Sequence, residues 1–261
     1  MGTTKTKKKL LSGRLIFRRT AVIGLLLLSW QVLPSLDIIS PRTLPPLSEV
    51  LARLWEIAGS GELKVHMAIS LKRAFTGFTA AVIVAVPLGF LMVWSKKVHQ
   101  FFNPIVQLFR NTSSLALYPI VLLIFGLGET AKFIIIFWTA AWPLLISVID
   151  GVRAVDAIYV KAAKSMSIST AALFFRVILP STVPYILTGL RISATRSMVA
   201  LVAAEMLGAS SGLGFLIFDT QHKDEIAKMY AAIIILISLG MLVNFALGQL
   251  EARLSAWKRS A

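Results

Sequence analysis

The sequence predicts an all-α membrane protein with about six transmembrane helices, and three observations carry that prediction. Hydrophobic residues make up 57% of the 261 and charged residues only 15%, where a soluble domain has roughly half apolar and a quarter charged. The mean hydropathy is +0.79. Apolar runs of about the 20 residues that a helix needs to cross a bilayer recur at 20–39, 74–94, 101–125, 133–149, 183–208 and 229–247. With no cysteine, disulfides and thiolate metal sites are excluded. The chain has no Walker A, HExxH or GxSxG pattern, and His66, His99 and His222 lie far apart in sequence, so no catalytic constellation is visible.

Residues 1–19 form a basic tail, and the apolar run behind it lacks a small-x-small cleavage site, so it reads as an uncleaved first helix rather than a removed signal. The polar connection 40–73 contains an amphipathic helix over 49–58, with Ser48 placed to cap it and Gly59-Ser60-Gly61 to end it. The second span has no charge between Ala74 and Trp94. The third carries Arg110 and Asn111 and is interrupted by Pro104 and Pro119, which predicts a kink.

Between the fourth and fifth spans lies a polar loop, about 151–182, whose core reads KAAKSMSISTAALFFRVILP over 161–180. Ala162 and Ala163 are small enough for another surface to approach the helix backbone, and Lys161 and Lys164 share one face. The run Ser167-Ile168-Ser169-Thr170 favours a turn or a fresh N-cap. A second short helix is expected to follow and to end against Pro180, with Pro184 in the first turn of the next helix. The membrane-spanning body then runs over 20–250, and 251–261 form a C-terminal tail.

Basic residues accumulate in cytoplasmic loops, and here they are unevenly placed. With the N-terminus inside, the cytoplasmic segments hold sixteen Lys and Arg against Asp150, Asp156 and Glu251, while the outer segments balance eight against eight. Both termini are therefore expected in the cytoplasm. This excess accounts for the formal charge of +15 without a nucleic-acid partner.

Arg110, Arg191, Arg196 and Glu205 fall inside spans. A cation at mid-membrane costs about 2.5–3.5 kcal/mol on insertion scales, so the three arginines are expected to face protein or water and are candidates for a solute path. Arg196, twelve residues past Pro184, stands about 18 Å along its helix, slightly beyond the midplane. Arg191 is nearer the cytoplasmic end, where a long side chain can snorkel. Glu205 reads as a structural partner bracing the glycine-rich loop 208–214.

The 161–180 segment resembles the cytoplasmic loop of binding-protein-dependent ABC importer permeases, which reads Glu-Ala-Ala, three residues, Gly, nine residues, Ile, any residue, Leu-Pro. Ala162, Ala163, Leu179 and Pro180 match and Val177 stands in for Ile, while Lys161 replaces Glu and Ser167 replaces Gly. RNTSSLALYP (110–119), FGLGETAK (125–132), ILTGLRIS (186–193) and VAAEMLGASSGLGF (202–215) extend the likeness to the permeases for aliphatic sulfonates, taurine and nitrate.

That resemblance implies a type I importer (MetI-like) fold in the bacterial inner membrane, working as a homodimer. It implies a coupling loop built on Lys161, Ala162, Ala163, Lys164, Ser167, Leu179 and Pro180, and an outer gate loop around Gly208, Gly212 and Gly214. It implies as partners a cytoplasmic ABC ATPase dimer and a periplasmic or lipid-anchored substrate-binding protein. No cofactor is expected in this chain, with ATP and Mg bound by the ATPase. Three alternatives are an importer for a neutral or heterocyclic solute such as a vitamin precursor, an ion-driven carrier and a membrane-embedded enzyme. The carrier would show two homologous halves or midplane acids, and the enzyme a His, Asp or Glu cluster at one depth; the sequence has neither.

Overall fold

The computed structural model describes residues 21–254, and among these the chain is helical with no β-strand. The basic tail 1–19 and residues 255–261 of the C-terminal tail lie outside the described residues. The helices are α1 (Ala21–Ser35), α2 (Leu47–Gly59), α3 (Glu62–Trp94), α4 (Lys96–Phe109), α5 (Ser114–Phe125), α6 (Glu129–Arg153), α7 (Ala157–Ser165), α8 (Thr170–Leu173), α9 (Leu179–Gly208), α10 (Leu213–His222) and α11 (Ile226–Leu254). Among the described residues, α3, α6, α11 and the continuous stretch Thr170–Gly208 are long and apolar enough to cross a membrane. Helices α4 and α5, bent by 101° at their break, are together long and apolar enough for a broken span or a re-entrant loop, which makes the count four or five rather than six. The run expected at 20–39 is helical only to Ser35 and then turns, with Asp37 at φ 54. At the other end α11 carries helix through to Leu254, beyond the expected tail boundary.

Contacts group the chain into two units, one comprising residues up to Leu63 with Ile217–Ile233, and the other Lys64–Leu216 with the remainder from Ile234. In the first unit, Trp30 donates its indole N–H to the Pro45 carbonyl at 3.1 Å and packs edge-on against Tyr230. Helix α2 begins two residues earlier than a Ser48 cap would require, with Pro46 at the N-cap. Pro46 has no hydroxyl or carboxylate to cap the first turn, and Gln31 supplies the acceptor instead, taking the Ser48 backbone N–H at 2.9 Å.

In the second unit, α3, α4 and α6 share a core of Ala85, Met92, Val106, Leu144, Leu145, Val148 and Ile149. Tyr118, Ile135, Ala200 and Ala204 join α5, α6 and α9. Helices α6 and α9 come closest where side chains vanish. A Cβ at Gly189 would stand 2.6 Å from Ser147 Cβ, and one at Gly151 would stand 2.6 Å from Tyr185 Cβ. Small residues at such crossings let helix backbones pack closely in lipid, where dispersion contacts replace the missing hydrophobic drive.

The loop between α6 and α9 folds by local capping. Asp156 accepts the Ile158 N–H at 2.8 Å to start α7, and Ser169 accepts the Ala172 N–H at 3.2 Å to start α8. The second short helix does not end against Pro180 as expected. It passes through a π-helical turn, Phe174–Ile178, straight into α9, with Pro180 in the first turn of that helix. Proline lacks only an N–H that a first turn does not need, so it starts α9 rather than stopping α8.

Gly189→Val tests the α6–α9 contact. It is expected to cost about 1–3 kcal/mol by overpacking, read as a lowered thermal midpoint of the purified protein in detergent. An unchanged midpoint would show that the two helices are not held at this distance.

Candidate functional site

The break between α4 and α5 is made by polar side chains, not by the prolines. Pro104 and Pro119 both sit inside their helices. Asn111 Nδ2 donates to the Gln107 carbonyl at 3.3 Å, Thr112 Oγ1 to Leu108 at 3.1 Å and the Thr112 N–H to Phe109 at 3.1 Å. The last carbonyls of α4 are thus satisfied without a continuing helix, and the chain is free to turn through 101°.

A cavity of about 600 Å³ lies at this break, bordered by α6 and α9. Arg110 from the break and Arg196 from α9 both line it, so two of the three arginines singled out in the sequence meet in one space. No Asp or Glu lines the cavity. Among the described residues neither guanidinium has a carboxylate or hydrogen-bonding partner. The first turn of α5 borders the same space through Ser113, Ser114 and Leu115, and its N-cap residue Ser113 makes no capping side-chain bond. A helix amino end carries unpaired N–H groups and roughly half a positive charge. All the charge around the cavity therefore has one sign. Trp138, Thr139, Trp142 and Ser147 of α6 form another wall.

Arg191, the third arginine, does not line this cavity. Its Nε donates to Asn244 Oδ1 at 2.7 Å and its Nη1 lies 3.6 Å from Glu251, tying α9 to α11. Those partners come from residues about fifty and sixty positions later, which no local pattern links to Arg191.

The glycine-rich loop after α9 is built around Glu205, whose side chain is fully buried. Its carboxylate accepts from Ser70 Oγ at 2.8 Å, from Arg73 Nη1 at 2.8 Å and from the Gly214 N–H at 2.9 Å. Arg73 also reaches the Ser211 carbonyl and forms a two-pronged pair with Glu129, at 2.8 and 2.7 Å. The Leu213 N–H donates to Ser70 Oγ and the Gly212 N–H to His66 Nδ1. Gly212 has φ +117, and a Cβ there would overlap the Glu205 carboxylate. Gly208 is the last residue of α9, beside Tyr118, whose hydroxyl donates to the Ala204 carbonyl at 2.8 Å. Glu205 braces the loop as its sequence position suggested. Ser70, His66, Arg73 and Glu129 were not legible as its partners, although the charge distribution had already placed Arg73 and Glu129 on one side of the membrane.

In the 151–182 loop, Lys161, Ala162 and Lys164 are exposed on α7, but Ala163 is 6% exposed and packs with Leu173 and Ile178 against Phe90 and Phe174. The two alanines therefore do not form one outward surface as the sequence suggested; only Ala162 faces out. They are consecutive, and one step along a helix of 3.6 residues per turn sets their side chains about 100° apart. Ile158, Tyr159 and Met166 are exposed there. Ser167 has φ +54, a conformation that a glycine adopts without strain, which explains why the resembling pattern carries Gly at this place. Leu179 and Pro180 open α9.

An all-α membrane protein with a broken span, a one-signed polar cavity beside it and a capped loop carrying an exposed apolar helix is a solute permease in its construction. The sequence agrees: residues 77–256 match the family described as binding-protein-dependent transport system inner membrane component, and the chain belongs to that family. It is a permease subunit of an ABC importer. It is 35% identical over 240 residues to the taurine transport system permease protein TauC of Escherichia coli (strain K12), covering 90% of this chain and 87% of that one. It is 33% identical to the putative aliphatic sulfonates transport permease protein SsuC of Bacillus subtilis (strain 168), covering 88% and 84%. It is 32% identical to the nitrate import permease protein NrtB of Synechocystis sp., covering 91% and 88%. The fold is similar to that of a chain of the MetNI methionine ABC transporter in an inward-facing conformation, with a TM-score of 0.62 at 18% identity, covering 71% of this chain and 92% of that one.

Arg73→Met removes one partner from a buried ion pair and leaves Glu205 uncompensated. The expected cost is about 3–5 kcal/mol, read as a large drop in thermal midpoint in detergent. A variant as stable as wild type would show that the carboxylate is not held by Arg73.

Proposed function

We propose that this permease imports a small anion such as a sulfonate, taurine or nitrate, and that Arg110 and Arg196 line the route it takes. The observation that carries this reading is the cavity at the α4–α5 break: two guanidiniums without acidic partners, a helix amino end, and no carboxylate in the lining. An array of donors with one sign of charge attracts an anion and repels a cation. Half-helix amino ends serve the same purpose at the broken helices of other transporters. The names of the relatives, each an importer permease for a sulfur or nitrogen oxyanion or its amino derivative, support the same class.

In this reading two copies of the chain assemble about the route, both termini are cytoplasmic, and a periplasmic or lipid-anchored binding protein delivers the solute to the outer side. The loop at Gly208, Gly212 and Gly214 is the outer gate, held by the Glu205 network until the bundles move. A cytoplasmic ABC ATPase dimer binds ATP and Mg and docks on α7. Its surface contact is Ile158, Tyr159, Ala162 and Met166 with Lys161 and Lys164 at the edge, while Ala163, Ser167, Leu179 and Pro180 shape the loop from within. ATP-driven closure of the ATPases pulls on α7, which packs through Ala163 against Leu173 and Ile178, and the continuous run α8–π turn–α9 carries that movement toward Arg196. Alternating access then follows from contacts that differ between two states.

Two measurements test this. Arg196→Met keeps much of the stem and deletes the charge, so it is expected to lower uptake of the transported anion about tenfold or more in vesicles with ATPase and saturating binding protein, since one charge-assisted hydrogen bond contributes about 1.5–3 kcal/mol. Unchanged uptake by a well-assembled variant removes Arg196 from the route. Ile158→Glu places a charge on the exposed face of α7 without touching its buried side, so the permease should remain folded and lose co-purification with the ATPase. Full ATPase recovery would exclude this face as the contact.

A further inference from the structure

Arg73 holds two carboxylates in unlike surroundings. Toward α9 its Nη1 donates to Glu205 at 2.8 Å, and the Glu205 side chain has no exposed surface. Toward α6 its Nε and Nη2 donate to the two oxygens of Glu129 at 2.8 and 2.7 Å, and that side chain is 65% exposed. Similar in length, the two pairs differ in what their rupture costs. Parting Arg73 from Glu205 strands a carboxylate away from water, whereas Glu129 once released is hydrated and keeps Lys132, 3.2 Å away on its own helix. Ser211 accepts from Arg73, and Leu213 and Gly214 donate to Ser70 and Glu205, which ties the glycine-rich loop to α3 and α9. Glu129 is the arm that reaches α6. Close packing of α3 against α6 is found one turn further on, where a Cβ at Gly77 would stand 2.6 Å from Ile136 Cγ2. At the ion pair the same helices border a cavity of about 570 Å³, lined by Lys72, Arg73, Thr76, Glu129, Thr130 and Phe133.

We infer that the Arg73–Glu129 pair is a latch, the contact of the Glu205 network that parts when the outer gate opens. This rests on the reading of the 208–214 loop as that gate and adds where the gate divides: α3, the loop and α9 stay joined through Glu205, while the amino end of α6 swings from them about the Gly77–Ile136 contact. A carboxylate within reach of water suits a bond that breaks and re-forms in every cycle, because water replaces Arg73 as its partner. A buried one suits a bond that lasts. Lys132 restrains the released Glu129 on α6, so the return of that helix restores the pair.

The test is a pair of distances measured by pulsed electron paramagnetic resonance in the permease–ATPase complex in lipid nanodiscs, with one labelled permease copy diluted among unlabelled ones. The chain has no cysteine, so spin labels can be placed singly. Lys72→Cys with Thr130→Cys spans the Glu129 side, and Lys72→Cys with Ser210→Cys spans the Glu205 side; all three positions are exposed. The complex is measured at rest and with binding protein, ATP and vanadate, with arrest of ATP hydrolysis as proof of trapping. On trapping, the 72–130 distance is expected to lengthen by about 5 Å, the scale of a one-turn helix displacement, while the 72–210 distance stays as it was. Glu129→Gln keeps the shape and deletes the charge. At rest it is expected to raise the share of the longer 72–130 distance about two- to fivefold, as loss of an exposed ion pair implies. An unaltered resting distribution in that variant overturns the latch. So does lengthening of the 72–210 distance, with or without the other, an outcome that leaves the loop a gate but divides it elsewhere. If neither distance changes on trapping, the gate reading fails together with the latch.

Discussion

The Glu205 carboxylate is the constraint around which the α3, α6 and α9 part of the chain is arranged. It is fully buried and bonded to Arg73, to Ser70 and to the backbone of Gly214. A carboxylate so placed is tolerated only if its lone pairs are taken. Satisfying them brings α3 to α9, and Arg73, held by Glu129 on its other edge, brings in the start of α6. In the loop from Gly208 to Gly214 only Leu213 buries a large apolar side chain. The loop's shape follows from donating backbone N–H groups to Glu205, Ser70 and His66. The conformation of this loop is therefore set largely by a few polar bonds that converge on Glu205 and Ser70.

The cavity depends on a second constraint of the same kind. Polar residues inside an apolar span are costly unless they face water or protein. The run Arg110 to Ser113 meets that condition by ending one helix and starting another. The amino end of α5 is thereby brought to the same space as two guanidiniums. Non-helical backbone at membrane depth is tolerated only where it lines a cavity or is buried in protein, so the break and the cavity are one feature.

The loop between α6 and α9 connects directly to these regions. Its interior is a small apolar cluster containing Ala163, and its continuation into α9 is an unbroken helix through a π turn. Stiffness there has a mechanical consequence: displacement of α7 is not absorbed by a hinge at Pro180, and the same helix bears Arg196 and, at its far end, Glu205.

Much of this was legible in the sequence because it rests on local chemistry. Membrane character, the spans that became α3, α6, α9 and α11, the broken third span and the 161–180 loop follow from hydropathy, charge and capping residues over short windows. The family was legible because its motifs keep their spacing. Tertiary structure alone decided the pairings across long separations: that Arg73 meets Glu129 and Glu205, that Arg110 and Arg196 share a cavity while Arg191 turns to Asn244 and Glu251, and that Ala163 faces inward while Ala162 faces out. The physical reason is that hydropathy and spacing fix which residues lie at one depth or on one face of a helix. The rotation of each helix about its own axis, which selects the neighbour a side chain reaches, is set by close packing at residues such as Gly151 and Gly189 and by the few buried charges that must be satisfied.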